Sequence, residues 1–150
     1  MRKMDKQHLY SPDCRTPMTE TTPIHYPRLS IITVVYNDVQ HIRATIKSVF
    51  QQTLQDFEYI IIDGGSTDGT WEIIQEYADK ITYMQSQPDN GIYDAMNQGA
   101  RKASGDYVLF LNSGDTLYAP DVLQQMAGQI NRQPTDIVYG IALKHYPGYT

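Results

Sequence analysis

The residues of this chain that could do chemistry fall in four short polar stretches, each closing an apolar run. Tyr36-Asn37 ends the first run and Asp63-Gly64-Gly65-Ser66-Thr67-Asp68-Gly69 the second. Pro88-Asp89-Asn90-Gly91 follows the third run, and Asn112-Ser113-Gly114-Asp115 stops the fourth, Tyr107-Val-Leu-Phe-Leu111. Carboxylates and carboxamides beside glycine can hold a hard divalent cation such as Mg²⁺ or Mn²⁺. Such a cation commonly takes one or two protein carboxylates and fills its shell from substrate phosphates. Asp115 is the strongest ligand candidate, with Gly114 allowing close approach to the backbone. A plain turn or helix cap explains Asp115 as well, and Asp63 could simply hold its Asp-Gly-Gly turn.

These stretches need a scaffold that brings them to one place. Residues 29–36 and 57–62 read as buried strands, 81–84 as a short third strand, 107–111 as a fourth and 136–143 as a fifth. The 107–111 run, apolar on both faces, reads as a central strand. Between them, Val39, Ile42, Ile46 and Val49 keep helical spacing to about residue 52, with Asp38 as a candidate cap. Trp71, Ile74 and Ala78 share one face of a second helix, and Ala95, Met96, Gly99 and Ala103 one face of a third. A fourth helix carries Leu123, Met126 and Ile130, with Pro120 suited to its first position. Alternating strands and helices predict an α/β fold with a largely parallel sheet. Right-handed crossovers then place all the polar strand ends on one rim, where open parallel sheets bind ligands.

Composition narrows the function further. The chain has 150 residues, 41% hydrophobic and 19% charged, enough for one domain. A net charge of −5 without a Lys/Arg cluster argues against nucleic acid. Cys14 is the single cysteine, so no internal disulfide forms and a reducing, cytoplasmic compartment is expected. His8, His25, His41 and His145 show no zinc spacing. No apolar run is long enough to span a bilayer. Residues 1–27 hold four prolines and no apolar periodicity, and read as a flexible leader before a domain over 28–150. Two common α/β chemistries are excluded: the first strand is followed by no Gly-x-Gly-x-x-Gly, and no Gly-Lys-Ser/Thr phosphate loop occurs.

The stretches 29–37 (LSIITVVYN), 62–70 (IDGGSTDGT), 88–97 (PDNGIYDAMN) and 105–115 (GDYVLFLNSGD) together resemble family 2 glycosyltransferases of the GT-A fold. The likeness is greatest to a bacterial exopolysaccharide branch that includes a colanic acid glycosyltransferase. It covers residues 29–143 and is specific for family, not for sugar. The resemblance implies a Rossmann-like, largely parallel GT-A sheet flanked by helices, cut short after the fifth strand. It implies that Thr33, Tyr36 and Asn37 line a nucleotide pocket and that Asp63 contacts the base. Asp89, Asn90 and Gly91 would lie beside nucleotide and sugar. The family's Asp-x-Asp metal motif falls on Asn112 to Asp115, where Asn and Gly replace two acidic positions. Asp115 keeps the final carboxylate as metal ligand, with Asn112 at the nucleotide sugar.

The implied reaction is inverting transfer from a nucleoside-diphosphate sugar to a polysaccharide or lipid-linked acceptor, with Mg²⁺ or Mn²⁺. Peripheral attachment at the inner face of a membrane would suit a lipid-linked acceptor. The family's catalytic base lies on a later segment, expected beyond Thr150, and none is assigned among residues 1–150. The chain therefore reads as a donor-binding portion, whose exposed sheet edge could support a homo-oligomer. A non-catalytic nucleotide-sugar-binding fragment is the alternative. A metal-dependent phosphohydrolase built on Asp63 and Asp115 would need a nucleophile or second metal ligand that the sequence does not supply.

Overall fold

The computed structural model describes residues 27–138, 140 and 143. Its centre is β1 (Leu29–Val35) and β2 (Phe57–Asp63), two seven-residue parallel strands. Their β-branched residues are buried on both faces, as strands covered by helices on each side require. β3 (Tyr83–Ser86) pairs with β2 and β4 (Tyr107–Phe110) with β1, giving the parallel order β3-β2-β1-β4.

Alternation along the strands divides the core. Leu29, Ile31 and Val35 meet Tyr59 and Ile61 on one face. That layer is closed by α1 (Ile42–Phe50), α2 (Thr70–Gln75) and α4 (Val122–Arg132), through Ile46, Ile74 and Leu123. On the other face Ile32, Val34, Ile60 and Ile62 pack against Ala95 of α3 (Ile92–Lys102). Gly99 lets α3 lie close to the sheet, since a Cβ there would come within 2.5 Å of Ile32 Cγ2. At the amino ends of the strands, buried Glu58 accepts hydrogen bonds from the Ser30 hydroxyl, from Ser104 N, from Ser104 Oγ at 2.7 Å and from Gly105 N at 3.2 Å. One carboxylate thus ties β1, β2 and the turn before β4 together.

The expected α/β architecture is present, with five differences. β4 is an edge of the described sheet, not a central strand. Tyr107 and Leu109 pack on the core, but Val108 and Phe110 are exposed because α3 covers only β1 and β2. β3 lies two residues later than expected, over Tyr83–Ser86. Asp38 does not cap α1: its carboxylate is turned to His41 and Ser113, and the helix begins only at Ile42. Pro120 precedes α4 by two residues and instead accepts a hydrogen bond from Thr53 N at 2.7 Å. Residues 136–138, at the start of the expected fifth strand, carry no strand, and most of 139–143 lies outside the described residues. The expected leader, apart from Pro27, also lies outside them. No described helix is long and apolar enough to cross a membrane.

Candidate functional site

The carboxyl ends of β1 and β2 open into a cavity of about 520 Å³, within the usual range for small-molecule sites. It is lined by Val34, Val35, Tyr36 and Gly64 from the strand ends and by Pro88, Asp89 and Gly91 of the loop before α3. Ile92 and Ala95 of α3 complete the lining. A side chain at Gly64 would crowd its neighbours. A Cβ there would stand 3.0 Å from Asp89 Oδ2 and 3.3 Å from the Tyr36 ring. Tyr36 itself is 66% exposed, leaving a broad aromatic face at the mouth.

Among the expected site residues, Tyr36, Asp89 and Gly91 therefore meet in one cavity. Asp89 Oδ1 accepts from Gly91 N at 2.8 Å, which fixes the loop entering α3. Gly91 has φ +102°, a left-handed value suited to glycine. Asn90 is exposed, and its backbone N–H donates to Asp94 at 3.1 Å. That bond, with those from Asn90 and Gln98 side chains, holds the Asp94 carboxyl below the usual carboxylate range.

Thr33 is not in the cavity. It is buried, donates to Leu111 O at 2.7 Å and pairs with the Tyr59 hydroxyl at 2.9 Å. Strand alternation turns it toward the α1 side and turns Val34 toward α3 instead. Burial pushes the Tyr59 phenol up, and the bond to Thr33 offsets this only in part.

Asp63 is fully buried and organises its own turn. Its Oδ2 accepts from Ser66 N at 3.0 Å and Ser86 Oγ at 2.5 Å, and its Oδ1 accepts from the Ser66 hydroxyl. The local reading of Asp63 as a turn residue is the one this conformation displays. Asn37, at φ +48°, joins the same turn: its N–H donates to Ser66 Oγ at 2.7 Å, and its Oδ1 accepts from Thr67 N at 2.9 Å.

Asn112 to Asp115 forms a second structure on the rim, beyond the end of β4. Ser113 N donates to Val34 O at 3.1 Å, and Asp115 N donates to Asn112 O at 3.0 Å. The Thr45 hydroxyl of α1 accepts from Gly114 N at 3.1 Å, and the Ser48 hydroxyl accepts from Leu117 N at 3.1 Å. Asp38 Oδ2 accepts from Ser113 Oγ at 2.6 Å while its Oδ1 meets His41 Nδ1 at 2.5 Å. Burial would raise the Asp38 pKa, but these two bonds and the nearby histidine hold it below the usual carboxylate range.

No three His, Cys, Asp or Glu side chains converge as a metal group among the described residues. A cation would need to be shared with a ligand, and the rim suits that arrangement. Asp115 is exposed, and among the described residues its carboxylate makes no hydrogen bond. Asn112 Oδ1 is shielded from solvent yet has no hydrogen-bond partner among the described residues. The carboxylates of the rim segments are Asp38, Asp63, Asp68, Asp89, Asp94 and Asp115, with no Lys or Arg among residues 36–41, 63–70, 86–94 or 112–118. A cation there would offset the repulsion between these carboxylates and an anionic diphosphate. No catalytic base was expected among residues 1–150, and Thr150 itself lies outside the described residues.

Strand alternation could have identified Val34 in place of Thr33. Ser113, Ser66 and Ser86 carry no sequence signal, because a serine in a loop is ordinary until its partner is known.

Comparison with known proteins agrees with this geometry. The chain is 39% identical to a PGL/p-HBAD biosynthesis glycosyltransferase of Mycobacterium bovis over 118 residues, covering 76% of this chain and 46% of that protein. It spans about half the length of such curated relatives. Staphylococcus aureus TarS 1–349, solved in complex with UDP, superposes with a TM-score of 0.68 at 26% identity over 79% of this chain and 38% of that one. The Pyrobaculum calidifontis mannosyltransferase PcManGT, solved with GDP-Man and Mn²⁺, shares the fold with a TM-score of 0.64 at 21% identity, over 76% and 34% of the two chains. The four-stranded parallel sheet is that of these GT-A neighbours. Glycosyl transferase family 2 matches residues 30–150, and this chain belongs to that family.

Proposed function

We propose that this chain is the donor-binding part of an inverting glycosyltransferase. It would transfer a sugar from a nucleoside-diphosphate sugar to a polysaccharide or lipid-linked acceptor. The observation that carries the reading is the cavity of about 520 Å³ at the carboxyl ends of β1 and β2, set on a rim whose charged loop residues are carboxylates. TarS, similar over most of this chain, is solved with UDP, which supports a nucleotide in the corresponding place.

In this reading Tyr36 offers its ring to the nucleoside, and Asp89 with Gly91 closes the opposite wall. Asp63 and Asn37 keep the turn beneath them in shape, so their effect on the base is exerted through Gly64 and Ser66. Asp115 would hold a Mg²⁺ or Mn²⁺ ion, and Asn112 Oδ1 would accept a hydrogen bond from the donor or its hydration shell. A bound cation would stabilise the negative charge that grows on the diphosphate as the glycosidic bond breaks. The acceptor hydroxyl attacks the anomeric carbon on the face opposite the leaving diphosphate, which inverts it. Its proton goes to a base, and no residue described here is assigned that role. A lipid-linked acceptor would place the work at the cytoplasmic face of a membrane.

Calorimetric titration of the chain with UDP, GDP and dTDP, in Mn²⁺ and in chelator, tests this. One nucleotide should bind with an affinity that rises in Mn²⁺. A folded chain that binds none of the three overturns the donor-site reading.

A further inference from the structure

The cluster formed by Asp38, His41 and Ser113 lies outside the cavity, and the proposed donor site does not use it. Asp38 follows β1 directly, yet its carboxylate spans to Ser113, 75 residues later, at 2.6 Å. Its own position is fixed from the other side. Asp38 N donates to Thr70 Oγ1 at 2.9 Å, and Asp38 O accepts from Ile42 N at 3.1 Å at the entry to α1. Thr70 in turn donates its hydroxyl to Asp68 at 2.5 Å, and Asp68 also accepts from Val39 N at 3.0 Å. Asp38 is thus a rigid post, anchored to β1, α1 and α2, with one oxygen aimed at the middle of the Asn112–Asp115 turn.

The turn's backbone is held by Val34 O, Thr45 Oγ1 and Asn112 O, and the Asp38 bond is the side-chain restraint at Ser113. Between Ser113 and Asp115, Gly114 takes φ +93°, a conformation open chiefly to glycine. Ser113 stands two residues before Asp115, and its hydroxyl bond to Asp38 restrains the turn on the side toward β1. We propose that Asp38 is a positioning residue for the proposed metal site: through Ser113 it sets the direction in which Asp115 presents its carboxylate. The proposal rests on the donor-site reading above. Outer partners of this kind typically change metal affinity by about 10–100-fold when removed.

The test is titration of Mn²⁺ into the chain in the presence of UDP, and separately GDP, with nucleotide binding in chelator measured beside it. Near-UV circular dichroism and thermal melts confirm folding of each variant. Asp38→Ala and Ser113→Ala should each weaken Mn²⁺ binding by about 10-fold or more, with metal-free nucleotide affinity unchanged. The double variant should be no worse than either single one, as expected for two residues acting through one bond. Asp38→Asn keeps an oxygen acceptor for Ser113 and should regain most of the Mn²⁺ affinity. If Asp38→Ala fails to fold, Ser113→Ala carries the test, because it removes only a hydroxyl.

Unchanged Mn²⁺ affinity in folded Ser113→Ala, additive losses in the double variant, or equal losses with and without metal would each overturn the positioning role. Those results leave the donor site standing provided the wild-type chain binds nucleotide with Mn²⁺ and Asp115→Ala does not respond to it. A wild-type chain without Mn²⁺-dependent binding would overturn the site itself, and the positioning role with it.

Discussion

Asp115 and Asp63 are both acidic residues at strand ends, and their surroundings assign them opposite work. Asp115 is exposed and makes no side-chain hydrogen bond among the described residues; Asp63 is buried and accepts three. Asp115→Ala should therefore leave the melting temperature near that of wild type and abolish the gain in nucleotide affinity on adding Mn²⁺. Isothermal titration in Mn²⁺ and in EDTA reads both affinities, and a thermal melt reads the stability. Asp63→Ala should weaken nucleotide binding equally with and without metal. It should also lower stability by about 1–3 kcal/mol, since the Ser66 N–H and two serine hydroxyls lose their acceptor. Thr33→Val makes the useful contrast. It removes the hydroxyl bonds to Tyr59 and Leu111 and should cost about 1–2 kcal/mol in chemical denaturation, while nucleotide affinity stays at the wild-type value.

Elements differ in how much of themselves the sequence discloses. β1 and β2 were legible from their β-branched and aromatic runs, Leu29–Val35 and Tyr59–Ile62, which suit burial on both faces and are buried. α3 was legible from Ala95, Met96, Gly99 and Ala103, of which the small Ala95 and Gly99 admit the sheet. Gly99→Ala should accordingly destabilise the fold by about 1–3 kcal/mol. Its added methyl would lie 2.5 Å from Ile32 Cγ2, and urea unfolding reads the loss directly. β4 misleads, because Val108 and Phe110 are as apolar as Tyr107 and Leu109 but only the latter pair is covered. Nothing within a strand reports whether a helix crosses its other face. The candidate site was legible as a rim of strand ends, because topology alone gathers them. Its internal bonding was not, since Asp38–Ser113 and Asp63–Ser86 join residues 75 and 23 positions apart.

At the scale of the whole molecule, the sheet has two chemically distinct ends. The carboxyl end gathers open carboxylates, while at the amino end Glu58 is enclosed by Ser30, Ser104 and Gly105. Burial tends to raise the Glu58 pKa, but the hydrogen bonds from Ser30, Ser104 and Gly105 hold it below its usual 4.5. A carboxylate depressed in the folded state binds protons more readily when unfolded. Its stabilisation is complete above pH 4.5 and is lost as pH falls through the lower folded-state value. Denaturation measured from pH 7 downward should show stability falling below pH 4.5, and Glu58→Gln should flatten that fall while lowering the neutral plateau. Unchanged acid sensitivity in Glu58→Gln would assign the effect to other carboxylates.

Val34 belongs to both parts of the rim at once. Its side chain lines the cavity, and its carbonyl oxygen accepts the Ser113 N–H at the head of the Asn112–Asp115 turn. A ligand that presses on this residue from the cavity, and an ion that draws on the turn, therefore act on one peptide unit. Two occupants coupled in this way obey a closed thermodynamic box. The factor by which Mn²⁺ tightens nucleotide must equal the factor by which nucleotide tightens Mn²⁺. The chain would then be a poor chelator alone and a good one only with its donor in place, and cellular nucleotide-sugar levels would decide whether it carries a metal.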